Sequence, residues 1–242
     1  MDKTNERASL YFFKTARSSA SLLILMGIAL VLFALSNKME GYWIFITVGI
    51  IMFILGLIMT FRVNVAKVKG REIDEIAQGM AESTDLDKRA LRELDLFEQD
   101  IEEMDQVVLK GYCTVPIETA PLYRFDEEDG KARSSTYQLS KVYVDDDRMY
   151  AYTLARSLVD SERIDGAYSW TYASIKDIAI EKLIKECMLS PKKDGPTKEG
   201  YFDALVVYRK RGERVKFAVD ESCMEDAKDI VEYVKEKING HN

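Results

Sequence analysis

Two uncharged, strongly apolar stretches near the N-terminus decide how the chain is organised: SLLILMGIALVLFAL at residues 21–35 and WIFITVGIIMFILGLIM at residues 43–59. The uncharged segments around them, residues 18–36 and 41–61, contain 19 and 21 residues. At about 1.5 Å of rise per residue, each would cover about 30 Å as a helix, which matches the hydrocarbon core of a bilayer. We therefore predict two transmembrane helices, residues 18–36 and 41–61, after an N-terminal segment of residues 1–17.

The basic residues around these stretches predict their orientation. Basic side chains flank the outer ends of the pair, at Lys3, Arg7, Lys14, Arg17, Arg62, Lys67, Lys69 and Arg71, whereas the turn between the stretches offers only Lys38. Because basic loops stay in the cytoplasm, we predict a two-span protein of the cell membrane with both termini cytoplasmic. An alternative is that the first stretch is a cleaved signal peptide, since Ala34-Leu35-Ser36 resembles a cleavage site. Both interpretations leave the rest of the chain inside.

Small residues recur every seven positions in the two stretches, at Gly27, Ala34, Gly49 and Gly56. Such residues allow close approach of two membrane helices, so we predict that these four pack the helices into a tight antiparallel pair. Neither stretch contains an ionisable residue, which is the usual mark of an ion or proton path. The pair is therefore predicted to be an anchor, and a possible surface for homo-oligomers, rather than a channel or transporter.

The remaining residues, 62–242, carry 29 basic and 38 acidic side chains (34 − 5 and 41 − 3), a net charge of −9. This balance argues against a nucleic acid partner, because phosphate binding needs a basic face. The single histidine, His241, stands next to the C-terminus, and no nucleotide-binding or nucleophile motif is present. We therefore predict no catalytic residue, no metal site and no cofactor.

The three cysteines and the run Asp145-Asp146-Asp147 each have two alternative interpretations, as a reactive or metal-binding site or as part of the structure. Cys113, Cys187 and Cys223 are odd in number and widely spaced, which favours buried, inert thiols in a reducing compartment over a disulfide framework or a reactive thiol. The run Asp145-Asp146-Asp147 suggests magnesium by its charge, but adjacent carboxylates in a tight turn do not converge on one ion. A simple turn is the preferred interpretation.

Residues 62–105 are predicted to form a helical linker. Apolar residues at helical spacing run to Met104, with an interruption and probable N-cap at Ser83-Thr84-Asp85. The apolar stripe is compatible with packing on the following domain or with pairing between two copies of the chain. The acidic side chains on the other faces are predicted to be solvated.

Residues 106–242 predict a domain of short strands followed by one helix. The predicted strands are residues 107–115, 135–144, 148–159, 167–172, 175–180, 201–210 and 213–219. Residues 190–200 are predicted to be a mobile loop, with a partner-binding role as an alternative. Ser222-Cys223-Met224-Glu225 predicts a capping box at the start of the final helix, and Gly240 predicts its end.

The segments VYVDDDRMY at residues 142–150 and YASIKDI at residues 172–178 resemble strand elements of bacterial pleckstrin-homology-like (PH-like) and GRAM-like domains. The resemblance covers residues 106–240. It implies an α+β fold in which about seven antiparallel strands form a barrel or sandwich closed by a C-terminal helix. Members of this superfold share architecture more than ligand, so the resemblance does not fix the function.

The chain departs from the lipid-binding members in its basic residues. Those members carry a basic cluster on their first strand pair, whereas here Arg124, Lys131 and Arg133 stand among acidic residues. The densest basic cluster lies at a predicted hairpin tip, at Arg209, Lys210, Arg211 and Arg214. It is a candidate contact for lipid headgroups or for an acidic partner, with a solvated turn as the simpler interpretation.

The sequence favours a non-enzymatic, membrane-anchored scaffold or regulatory protein. Its PH-like domain would bind another membrane or cytoplasmic protein at the cytoplasmic face of the membrane. The alternative is a lipid or envelope-stress sensor that binds headgroups through the basic hairpin tip. An enzyme is the least favoured class, because no catalytic constellation can be located.

Overall fold

The computed structural model describes residues 3–13, 17–37, 42–65, 68–190 and 195–240. The chain divides into two compact units. One, the hairpin unit, comprises residues 13–69. The other, the β-unit, combines residues 1–12 with residues 70–242.

The hairpin unit contains two packed helices, α2 (Arg17–Asn37) and α3 (Tyr42–Val65). Within the described residues, the segment Tyr42–Met59 of α3 is long and apolar enough to cross a membrane. The apolar segment of α2, Ser21–Ser36, is shorter than a full span. Length and composition therefore support one of the two predicted spans. Residues 38–41, between the two helices, lie outside the described residues.

The β-unit is an α+β structure with nine strands in its described part. Its helices are α1 (Lys3–Phe12), α4 (Gly70–Glu82), α5 (Leu86–Leu94) and α6 (Met224–Gly240). Its strands are β1 (Asp105–Tyr112), β2 (Tyr123–Asp126), β3 (Lys131–Ser134), β4 (Thr136–Val144), β5 (Arg148–Ser157), β6 (Arg163–Thr171), β7 (Ile175–Met188), β8 (Thr197–Arg209) and β9 (Arg214–Val219).

The strands form two sheets. The four-stranded sheet has the order β1-β4-β5-β6 and is antiparallel throughout. The five-stranded sheet has the order β3-β2-β7-β8-β9 and is antiparallel except where β2 meets β7. Each of the seven predicted strands has a counterpart, and the hairpin β2–β3 is additional to them.

The main core lies between the two sheets and under α6. Alternation along β4 directs Val142 and Val144 into this core, where they join Phe217 and the buried face of α6, including Ile230 and Val234. Every residue of β4 is nevertheless buried. The explanation is that α5 covers the opposite face of the same sheet, contacting β4, β5 and β6.

The predicted linker helix differs from the structure in two respects. It ends at Leu94, because Asp95 adopts a left-handed conformation (φ 55°) and its N–H bonds back to the carbonyls of Arg92 and Leu91. Residues up to Met104 form turns instead. In addition, α4 and α5 belong to the β-unit, so packing on the domain is the alternative that the structure favours.

Two further boundaries differ from the predictions. Strand β8 begins at Thr197, so the last four residues of the predicted loop 190–200 belong to a strand, and residues 191–194 lie outside the described residues. Asp220, rather than Ser222, caps the final helical segment. Its side chain accepts the backbone N–H groups of Ser222 and Cys223 at 2.8 and 3.3 Å.

The β2–β3 hairpin binds Tyr11 and Gly70, which lie at the two sequence boundaries of the β-unit. Arg124 of β2 donates a hydrogen bond to the carbonyl of Tyr11, and its guanidinium lies 4.1 Å from the centre of that tyrosine ring. Asp126, also of β2, accepts the backbone N–H of Gly70 at 2.9 Å. The hairpin therefore fixes the last residues of α1 and the first residue of α4 side by side.

Candidate functional site

The described part of the β-unit contains a groove of about 430 Å³ at one end of the sandwich, where the two sheets separate. We call it the inter-sheet groove. Its lining includes Ile164 and Tyr168 of β6, Leu183 and Ile184 of β7, and Val215 of β9. Ile164 is 49% exposed and Ile184 is 57% exposed, so apolar surface is open to solvent there.

The base of the groove is partly polar and hydrogen-bonded. Gln138 donates from Nε2 to Thr153 Oγ1 at 2.8 Å, and its Oε1 accepts the N–H of Ala218 at 2.7 Å. This buried amide thereby connects the two sheets. Beside it, Tyr168 stacks on Trp170 at a centroid distance of 5.1 Å. A preformed apolar hollow with a few fixed polar groups is typical of binding sites.

The rim of the groove is mainly basic. Lys185, Arg214 and Lys216 line it, with Asp165 as the acidic residue among its lining side chains. Three basic groups against one acidic group give this region a positive balance in a chain whose net charge is −7. The groove therefore favours an apolar ligand that also carries negative charge.

The four residues of the predicted basic cluster lie at the β8–β9 hairpin but differ in their contacts. Arg209 pairs with Glu213, while Lys210 and Arg211 are exposed at the β8–β9 turn. Gly212 completes this turn with a φ of +89°. Arg214 is exposed on β9 and is the member of the cluster that lines the inter-sheet groove.

Each basic residue of the β2–β3 region is already engaged within the protein. Arg133 is 1% exposed and binds Asp74 at 2.6 and 2.8 Å and Asp129 at 2.5 and 3.2 Å. Lys131 pairs with Glu221 at 3.1 Å, and Arg124 binds Tyr11 as described above. Carboxylates therefore pair with two of these three basic side chains, Lys131 and Arg133, and the third, Arg124, is bound to Tyr11.

Electrostatic effects at this buried arginine are consistent with a structural role. Burial acts to lower the pKa of Arg133, but the hydrogen bonds that it donates to Asp74 and Asp129 outweigh burial and raise that pKa above its ordinary value. Burial acts to raise the pKa of Asp129, but the bonds from Arg133 outweigh it and hold that pKa below its ordinary value of 3.8. Arg133 is therefore held by hydrogen bonds and ion pairs within the protein.

The residues that the sequence offered as reactive or metal-binding groups, the cysteines and the Asp145–Asp147 run, take part in burial and in a turn. All three cysteines are buried, as predicted, and burial raises the pKa of Cys113 and of Cys187 to about 11 and also raises that of Cys223. Asp145 stabilises the β4–β5 turn by accepting the N–H groups of Asp147 and Arg148 at 2.7 and 2.6 Å. No group of three potential metal ligands occurs in the part of the chain that the structure describes. His241 lies outside that part.

A second hollow, of about 860 Å³, lies between α1, α4 and the β5–β6 turn. Three arginines and four carboxylates line it. Its carboxylates are engaged locally; for example, Glu72 pairs with Arg7 at 2.6 Å and Glu162 accepts two hydrogen bonds from Thr119. This mixture of charges does not select a ligand of either sign, so we regard the inter-sheet groove as the candidate site.

In the hairpin unit, the four predicted packing residues are the buried ones within residues 21–36 and 42–59: Gly27, Ala34, Gly49 and Gly56. A β-carbon added at Gly27 would lie 2.6 Å from the carbonyl oxygen of Gly49. A β-carbon added at Gly49 would lie 2.8 Å from the carbonyl oxygen of Gly27. The two backbones therefore meet at this pair of glycines.

The groove itself was not predicted from the sequence, apart from Arg214. Its walls come from strands far apart in the chain, and each strand contributes only one or two unremarkable apolar residues. Comparison of the chain with protein-family models, with curated proteins and with solved structures finds no match.

Proposed function

We propose that the chain is a non-enzymatic scaffold or regulatory protein of the cell membrane that binds a partner protein in the inter-sheet groove. The hairpin unit anchors it through two spans, and the β-unit, a PH-like domain, faces the cytoplasm. Tethering raises the effective concentration of the domain for partners at the same membrane.

The observation that carries the proposal is the inter-sheet groove. Ile164 and Ile184 are large apolar side chains on an open surface, and basic groups surround them. Exposed apolar surface with a polar rim is characteristic of protein interaction sites. The buried thiols and the satisfied Asp145 turn give no comparable support to catalysis.

The anchor is supported by the composition of both helices. The segment Tyr42–Met59 has the length of a span, and the large apolar side chains of α2 and α3 are mostly exposed in the absence of lipid. Within residues 21–36 and 42–59, burial is confined to the small residues Gly27, Ala34, Gly49 and Gly56. A helix pair that is apolar on its outside requires an apolar solvent.

The PH-like assignment is supported by strand order. Strands β1, β4, β5 and β6 form one antiparallel meander, β7, β8 and β9 form a second, and α6 covers the core between them. Seven antiparallel strands with a C-terminal helix over the core favour this proposal, and the β2–β3 hairpin is inserted after β1.

Site-specific photocrosslinking of the full-length protein in living cells tests the proposal. A photoreactive amino acid replaces Ile164 or Ile184 in the groove, or Phe97 as the control, an apolar residue that is 73% exposed in another part of the β-unit. We expect a defined protein adduct from both groove positions and not from position 97. Equal adducts from all three positions, or none from the groove, would contradict partner binding there.

The lipid-sensor alternative is favoured by one observation, the exposure of Lys210, Arg211 and Arg214 at the end of the β8–β9 hairpin. It predicts that residues 70–242 float with vesicles containing anionic lipid and not with neutral vesicles. Replacing these three residues by alanine would abolish flotation. Flotation that is independent of lipid charge, or none at all, removes this alternative.

A further inference from the structure

Strand β6 is a free edge of the four-stranded sheet, since it pairs with β5 on one side only. The N–H of Ser157 donates to the carbonyl of Glu162 at 2.9 Å. This bond shows which residues of β6 form hydrogen bonds with β5 and which do not. In an antiparallel pair, hydrogen-bonded and non-hydrogen-bonded positions alternate. Asp165, Ala167 and Ser169 therefore direct their backbone N–H and C=O groups away from β5.

These outward groups have no partner within the described residues. No backbone or side-chain hydrogen bond involves the N–H of Asp165, Ala167 or Ser169, and all three residues are exposed. Edge strands in native proteins are usually shortened, bulged or covered, because an open edge is a template for another strand. Strand β6 is nine residues long and continuous in register.

The free edge runs beside the inter-sheet groove. Ile164 and Tyr168 alternate with the outward-pairing residues and line the groove. A strand paired with β6 would direct every second side chain toward the groove, because successive side chains point to opposite faces of a sheet. One segment could thus use the backbone edge and the apolar groove together.

Charge selects the kind of segment. The groove rim carries Lys185, Arg214 and Lys216 against Asp165, so acidic residues in the added strand would be attracted. Pairing of β6 with β6 of a second copy would instead bring two basic rims together. A separate acidic partner is therefore favoured over self-association at this edge.

We infer that the free edge of β6 is a strand-addition site for an extended, acidic segment of a partner protein, whose alternate apolar side chains enter the inter-sheet groove. This inference rests on the proposed function and specifies its ligand. Backbone hydrogen bonds would supply affinity, while the groove and its basic rim would supply specificity.

The experiment uses the full-length protein with the photoreactive residue at position 184. Ala167→Pro removes one outward N–H from β6, and proline is tolerated in an edge strand where its nitrogen faces solvent. The matched control is Gln106→Pro on β1, the other edge of the same sheet. Gln106 is also exposed and, by its register with Tyr143, also directs its N–H outward.

We expect Ala167→Pro to reduce the adduct at least tenfold and Gln106→Pro to leave it within twofold of the parent. An undiminished adduct in Ala167→Pro would overturn strand addition while leaving groove binding, and hence the proposed function, intact. Absence of the adduct in the parent would instead remove the proposed function together with this inference.

A second variant keeps the inference testable if Ala167→Pro does not fold. Arg214→Glu combined with Lys216→Glu reverses the rim charge without altering the backbone edge. We expect at least a fivefold loss of the adduct, and a loss that diminishes as salt concentration rises, because these charges are partly exposed. An adduct that is unchanged by this reversal would overturn the acidic character of the segment.

Discussion

Arg133 is a basic side chain whose charge is taken up inside the protein. In the sequence it belongs to a small basic group that stands among acidic residues. In the structure it is buried and binds two carboxylates from different elements, Asp74 of α4 and Asp129 of the β2–β3 turn. Tyr112 adds a further bond to Asp74 at 2.7 Å. The role of Arg133 is therefore to attach α4 to the β2–β3 hairpin.

Replacing Arg133 by methionine should destabilise the β-unit by about 2–4 kcal/mol, because two carboxylates lose their buried partner. The lower part of the range applies, since Asp74 and Asp129 are partly exposed and retain some hydration. Denaturant unfolding of the full-length protein in detergent, followed by the fluorescence of Trp170 in a Trp43→Phe background, measures the change. The control Lys131→Met breaks an exposed pair and should cost less than about 0.5 kcal/mol. Equal losses in the two variants would contradict the assignment.

The cysteines give a second prediction at this scale. Burial keeps all three in the thiol form near pH 8, and the thiolate is the reactive species. A maleimide should therefore label the folded protein far more slowly than the protein denatured in sodium dodecyl sulfate, which exposes all three thiols. Rapid labelling of any one cysteine in the folded protein would show that its surroundings are more open than described.

At the scale of elements, Gly27 and Gly49 set the distance between α2 and α3. Gly27→Ala places a methyl group against the backbone of Gly49 and Phe53, so the helices must separate, at a cost of about 1–3 kcal/mol. Heating the full-length protein in detergent, with Trp43 fluorescence as the signal in a Trp170→Phe background, should show a lower midpoint. The control Gly79→Ala meets no atom within 4 Å and should leave this midpoint unchanged. Equal midpoints for the two variants would mean that the glycines do not form the contact.

The strands could largely be predicted from the sequence, because alternating apolar residues between turn signals identify them. The β2–β3 hairpin could not, because its strands have four residues each and are separated by acidic residues. Their pairing depends on long-range contacts, such as the packing of Phe125 against Phe202 and Cys187. The early end of α5 was missed because nothing in its periodicity marks Asp95, a non-glycine residue, as left-handed.

The candidate site could be predicted least. Arg214 was identified by local charge density, whereas Arg209 in the same cluster is paired with Glu213, a contact that charge counting does not reveal. Ile164, Ile184 and Tyr168 have no distinguishing sequence signal, and only the separation of the two sheets makes them a groove. Tertiary arrangement, rather than residue type, defines this site.

At the scale of the whole molecule, the account requires that the hairpin unit lies in a membrane and that the β-unit faces the cytoplasm. The charge asymmetry supports this arrangement, since the basic flanks lie outside the two apolar stretches. Within the β-unit, the β2–β3 hairpin binds Tyr11 and Gly70, which lie at the two sequence boundaries of that unit.

Labelling of introduced cysteines with a membrane-impermeant maleimide tests this claim most directly, because the native thiols are buried and give a low background. One variant carries a cysteine at Met39, in the turn between the two stretches, and the other carries one at the exposed Phe97 of the β-unit. In intact cells, we predict labelling at position 39 and none at position 97 until the membrane is permeabilised. Labelling of position 97 from outside, or recovery of the full-length protein in the soluble fraction without detergent, would contradict the account.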